Sequence, residues 1–163
     1  MTTIRPASNG DAQALLELQH ALDTESEFML LEPGEREPHD LPAEPSYLIV
    51  AEGNDELAGY LEVSVLPYAR AASTGYVVMG VRTTYAGQGI GKALLTAAKD
   101  EAVERGLRRL ELTVMTHNTR ALNLYLNCGF EVEGLRRDAL TVGGVTRSEY
   151  YMGLLLAERH PRP

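Results

Sequence analysis

The order of elements along the chain predicts an α/β (α+β) fold: a mixed sheet of about six to seven strands flanked by helices. Three observations lead to it. Apolar runs at 47–51, 57–66, 76–81 and 110–115 have the alternation or continuity of strands. Apolar stripes at helical spacing cover 11–22 and 89–104. These segments follow one another as β-α-loop-β-β-β-α-β-α-β-β, without an internal repeat or a linker-like change of composition. The expectation is therefore one domain over residues 1–163, with its core between 3 and 160.

Each element has a local cause. Thr3–Arg5 can form a short strand that Pro6 ends. Ser8-Asn9-Gly10-Asp11 reads as a capping box, with Asp11 reaching back to Ser8, and Leu15, Leu18 and Leu22 give the following helix one apolar face. Residues 32–45 carry Pro33, Pro38, Pro42 and Pro45 among Glu32, Glu35, Glu37, Asp40 and Glu44, which predicts a loop with at most one helical turn. Tyr47–Ala51, the turn Gly53-Asn54-Asp55-Glu56 and Leu57–Leu66 read as a hairpin. A strand at Tyr76–Val81 leads through glycines into a helix ending at Gly106. A strand over Leu110–Met115 precedes a helix over Asn118–Asn127 that would bury Ala121, Leu124, Tyr125 and Cys128. Strands near Phe130–Val132 and Ser148–Leu156, with a Gly143-Gly144 turn, close the chain.

Composition narrows the function. With 15 Lys+Arg against 23 Asp+Glu the formal net charge is -8, which repels phosphate backbones and attracts cations, protonated amines among them. No nucleic-acid partner is expected. The single cysteine, Cys128, excludes a disulfide scaffold and fits a reducing compartment. No apolar run approaches the ~18 residues needed to span a bilayer, and the first residues lack the basic and apolar regions of an export signal. A cytoplasmic protein with no membrane partner is expected. His20, His39, His117 and His160 are scattered without ligand spacing, so no metal is expected.

The most informative segment is VVMGVRTTYAGQGIGKALL, Val77–Leu95. A strand runs into Gly87, Gln88, Gly89, Ile90, Gly91 and Lys92, and a helix begins inside the glycines. Glycines allow a tight turn and close backbone approach to a ligand, and the N–H groups and dipole of a helix start suit phosphate. Two nucleotide frames fail. A Walker A loop would need glycine at Ala86 and a hydroxyl at Ala93, and G-x-G-x-x-G meets Lys92 or Leu94 at its last position.

The frame that fits is x-x-G-x-G with Gly89 and Gly91, which resembles the acetyl-CoA motif of the GNAT N-acetyltransferase superfamily, [RQ]-x-x-G-x-[GA]. This chain departs from it at Ala86, leaving the backbone amides from Gly87 to Lys92 to bind the diphosphate. A second segment, from Asn118 to Phe130, matches the superfamily pattern N-x-x-A-x-x-L-Y-x-x-x-G-F at every fixed position. The resemblance covers nearly the whole chain and looks most like the branch that acetylates amino acids and other small amines. It implies a single-domain, mostly antiparallel sheet with a splay between the fourth and fifth strands, acetyl-CoA as co-substrate, and a homodimer as a common assembly with the closing strands as a candidate interface.

It also implies roles. The backbone of Met79 and Val81 would pair with pantetheine, and the Val81 N–H would polarise the thioester carbonyl. Gly80 reads either as a bulge that opens the splay or as a packing glycine. Tyr125 matches the tyrosine that protonates the departing thiolate, a task within reach of a phenol near pKa 10. Asn118 matches an asparagine that bonds pantetheine, and it also suits an N-cap. Lys92 stands beside the phosphates or is merely solvated. Cys128 reads as a core residue, because no His-carboxylate pair supports a covalent route. A protonated amine must lose a proton before attack, and the base candidates are Glu32 and Glu35 in the proline-rich loop, Glu111, or a water chain. The leading expectation is direct acetyl transfer to a small primary amine. The alternatives are a protein N-terminus or lysine as acceptor, and a CoA-binding module without catalysis.

Overall fold

The computed structural model describes residues 1–156; His160 and the end of the expected core lie outside them. The chain forms β1 (Thr3–Pro6), α1 (Ala12–Glu25), β2 (Tyr47–Glu52), β3 (Leu57–Val65), β4 (Thr74–Val81), α2 (Ile90–Glu104), β5 (Arg109–Met115), α3 (Thr119–Asn127), β6 (Glu131–Val142) and β7 (Val145–Leu155). The strands join in one seven-stranded sheet, ordered β1-β2-β3-β4-β5-β7-β6. β1–β2, β2–β3, β5–β7 and β6–β7 pair antiparallel, and β4–β5 pair parallel. The β4–β5 register runs from Thr74 opposite Arg109 to Tyr76 opposite Glu111, while β4 itself continues to Val81. The expected α/β order and mostly antiparallel sheet are therefore present.

By contacts the chain resolves into two compact units, Met1–Ser64 with Val78–Ala98, and, among the described residues, 65–77 with 99–156. The core of the first packs Leu15, Leu18 and Leu22 of α1 on Leu48, Val50, Leu57 and Tyr60. Each such side chain contributes about 1.5–3 kcal/mol of burial free energy. The capping box forms as expected: the Ser8 N–H donates to Asp11 Oδ2 at 2.8 Å, and the Arg5 guanidinium grips the same carboxylate through two bonds of 2.8 Å. That guanidinium holds Asp11 well below the usual carboxylate range.

α1 outruns its expected end at Leu22, because its last turn is held by distant partners. Asp23 takes a bidentate bond from Arg36, at 2.7 and 2.8 Å, with the carboxylate fully buried. This pair pins the 26–46 loop, which has no helical turn. Tyr60 lies beside it, and burial pushes its phenol up to about 12.

In the second unit, alternate β5 residues Leu110, Leu112 and Val114 are buried. The closing hairpin is far longer than expected, with 12 residues in β6 and 11 in β7. β6 is the sheet edge, and register shifts at Val132/Gly134 and Arg136/Leu140 break the two-residue alternation that would have revealed it. Along α3 only Tyr125 is buried, and Ala121, Leu124 and Cys128 are half-buried where core positions were expected.

Candidate functional site

The first unit carries the glycine turn. Arg82 closes β4 by donating its N–H to the Ala58 carbonyl at 2.8 Å. Thr83–Tyr85 form one 3-10 turn, and Ala86 to Gly89 lie exposed before α2 begins at Ile90. Gly87 and Gly89 both have φ +78°, the left-handed region, and a Cβ on Gly89 would meet nothing within 4 Å. The glycine is thus needed at 89 for its backbone angle and not for space. Ile90, Leu94 and Leu95 anchor the helix start in the core, while Lys92 is exposed. The first amides of α2 have no intrahelical acceptors and sit at the positive dipole end. An exposed, glycine-shaped cradle of amides fits a diphosphate, so the residues present suit the acetyl-CoA that the sequence implies.

Met79 and Val81 are half-buried on β4. Between them, a Cβ on Gly80 would lie 2.7 Å from Leu22 Cδ1 and 3.5 Å from Met29 Sδ, which favours the packing reading of this glycine. Glu32 and Glu35 are exposed in the 26–46 loop, where Glu35 Oε2 accepts the Glu32 N–H at 3.0 Å and closes a local turn.

The second unit carries the other motif. Tyr125 is 8% exposed, and its ring meets Phe130 edge-on, with centroids 5.8 Å apart. Asn118 caps α3, its Oδ1 accepting the Ala121 N–H at 3.3 Å, so the N-cap role is filled. Glu111 is bonded by Arg109 Nε at 2.9 Å, and the other guanidinium nitrogens of Arg109 bond Glu133 at 2.6 and 2.8 Å. Arg109 holds Glu133 below its ordinary value, and the carboxylates, Glu133 first, raise Arg109. These three groups line a cavity of about 270 Å³ with Tyr76 and Tyr151. Among the base candidates, Glu111 is thus ion-paired and Glu35 closes a turn.

Sequence reasoning missed the Asp23–Arg36 pair, the Arg109–Glu133 pair and the residues that hold Arg82–Tyr85. Their partners stand 13 to 58 positions apart, so no local spacing announces them.

Residues 14–130 match the sequence model of the Acetyltransferase (GNAT) family, and the chain belongs to that family. It is 32% identical over 142 residues to N-alpha-acetyltransferase RimI of Mycobacterium tuberculosis, covering 87% of this chain and 86% of that protein. A GNAT-family acetyltransferase structure from Streptococcus pneumoniae superposes with a TM-score of 0.89 at 25% identity, covering 96% of this chain and 100% of that one. The yncA structure from Salmonella typhimurium, solved with its cofactor acetyl-CoA, shares the fold with a TM-score of 0.82 at 20% identity, over 100% of this chain and 98% of that one. The chain spans 23% and 25% of the length of two mycothiol acetyltransferases that it matches, from Jonesia denitrificans and Renibacterium salmoninarum, and 45% of a streptothricin acetyltransferase from Escherichia coli.

Proposed function

We propose that this chain is a cytoplasmic, acetyl-CoA-dependent N-acetyltransferase that transfers the acetyl group directly to the primary amine of a small molecule. The observation that carries the reading is the exposed turn with Gly87 and Gly89 at φ +78° opening α2.

When bound, acetyl-CoA supplies the acetyl group as a thioester, whose carbonyl carbon takes the amine nitrogen as the C–S bond breaks. The amides from Gly87 to Lys92 hold the diphosphate, and the backbone of Met79 and Val81 orients pantetheine, with a further contact from Asn118. The Val81 N–H donates to the carbonyl oxygen, where negative charge grows. The Tyr125 hydroxyl delivers its proton to the leaving sulfur. Glu32, Glu35 or Glu111, directly or through water, takes the proton that the amine loses. The net charge of -8 favours a cationic acceptor.

A second reading changes only the acceptor, to a protein N-terminus or lysine, and the likeness to N-alpha-acetyltransferase RimI over 87% of this chain favours it. Mass spectrometry after incubation with acetyl-CoA and a mixed set of small amines and short peptides separates the two. Acetylated small amines are expected. Acetylated peptides alone would move the assignment to the second reading. Binding of CoA with no acetylated product would reduce the chain to a binding module.

A further inference from the structure

The segment entering the glycine turn is held from two sides, and both holds lie within the first unit. On one side the Tyr85 hydroxyl donates to Glu56 Oε1 at 2.9 Å and accepts the Asn54 N–H at 3.3 Å. Its ring lies so close to the β2–β3 turn that a Cβ on Gly53 would stand 2.6 Å from it. On the other side stands Glu25, the last residue of α1, whose side chain is 20% exposed. Its Oε1 accepts the Thr83 backbone N–H at 3.0 Å, and its Oε2 accepts Arg82 Nη2 at 3.4 Å.

Glu25 is also the root of the 26–46 loop. At Ser26 the backbone leaves the helix for an extended conformation, and the Ser26 hydroxyl accepts the Phe28 N–H at 3.1 Å. Three residues on, Met29 reaches Gly80, where its sulfur would lie 3.5 Å from a Cβ. Glu25 and the first residues of the loop thus meet the chain around the end of β4 at two places, Met29 at Gly80 and Glu25 at Arg82–Thr83.

We infer that Glu25 is a positioning residue that sets the entry of the glycine turn and makes the order of the first part of the loop, 26–35, ahead of the Arg36 tether, depend on the occupancy of that turn. The inference rests on the reading of the turn as the diphosphate site. A carboxylate accepting a backbone N–H is a charge-assisted bond, stronger than a neutral one and directional. A ligand that fixes the Arg82–Lys92 backbone therefore fixes Glu25, and with it the start of the loop. By linkage, order in the loop strengthens ligand binding by the same factor.

The test uses CoA itself as the probe, with calorimetric titration and hydrogen exchange on the wild-type chain, Glu25→Ala and Glu25→Gln. In the wild type, CoA is expected to slow amide exchange both at 82–92 and across 26–35. In Glu25→Ala, affinity falls about tenfold, the scale of one charge-assisted bond, and protection persists at 82–92 but disappears from 26–35. Glu25→Gln keeps an acceptor for the Thr83 N–H and is expected to fall between the two, which keeps the test open if the alanine variant fails to fold. Wild-type affinity together with loop protection in the variants overturns the inference and leaves the proposed function standing. Failure of the wild-type chain to bind CoA overturns both.

Discussion

Tyr125 and Phe130 meet edge to face, with ring centroids 5.8 Å apart and planes inclined by 61°. The C-terminal end of α3 turns back to make this contact, and the Phe130 N–H donates to the Tyr125 carbonyl at 3.0 Å. The ring is thus fixed by packing, and removing its hydroxyl leaves the pair intact. Tyr125→Phe is expected to lower turnover by roughly 10- to 1000-fold with CoA affinity nearly unchanged. Steady-state rates beside a CoA titration check it, and undiminished turnover would take Tyr125 out of the chemistry.

Gly89→Ala tests the turn. The added methyl meets no neighbour, so its effect comes from the left-handed backbone angle alone. A destabilisation of about 1–2 kcal/mol is expected, with weaker CoA binding as the amides turn away. Thermal melting and titration report the two effects separately.

Arg36→Ala would leave the Asp23 carboxylate, which has no exposed side-chain surface, without its cation. Stripping one partner from a buried pair costs about 3–5 kcal/mol. Asp23→Asn combined with Arg36→Ala should recover part of that loss, because no lone charge remains buried. Urea unfolding of the single and double variants gives the comparison.

Tyr60 sets an alkaline limit. Its phenol is raised from 10.0 to about 12, chiefly by burial, so the folded chain holds this proton more tightly than the unfolded chain does. The stabilisation is complete below pH 10 and is lost as the pH rises toward 12, an amount on the order of 2–3 kcal/mol. Tyr60→Phe should flatten this part of the stability profile between pH 10 and 12. An identical slope in the variant would assign the loss to other groups.

The parts of the fold that the sequence announces are those with a local cause. Ser8 and Asp11 are three residues apart and form their box; Leu15, Leu18 and Leu22 share one helix face; Gly87 and Gly89 mark a turn that no other residue type adopts easily. Tyr125 and Asn118 were legible through a residue pattern, and the structure gives each a defined place, in the α3–Phe130 packing and at the α3 cap. What stayed hidden depends on pairing across long separations. α1 reaches Glu25 because Asp23 finds Arg36 and Glu25 finds Thr83, 58 positions away. β6 lies at the sheet edge, and its register shifts at Val132/Gly134 and Arg136/Leu140 break the alternation that marks a strand. Glu111 is the exception: Arg109 holds it from two residues away on the same strand, the spacing that puts two side chains on one face.

The central claim is amine acetylation driven from the glycine turn, and the direct measurement is CoA thiol release from acetyl-CoA as a function of added amine. Release is expected to require an amine, to saturate in both reactants and to drop in Tyr125→Phe. Acetyl-CoA bound at the turn with no amine-dependent release, from small molecules or from peptides, would contradict it.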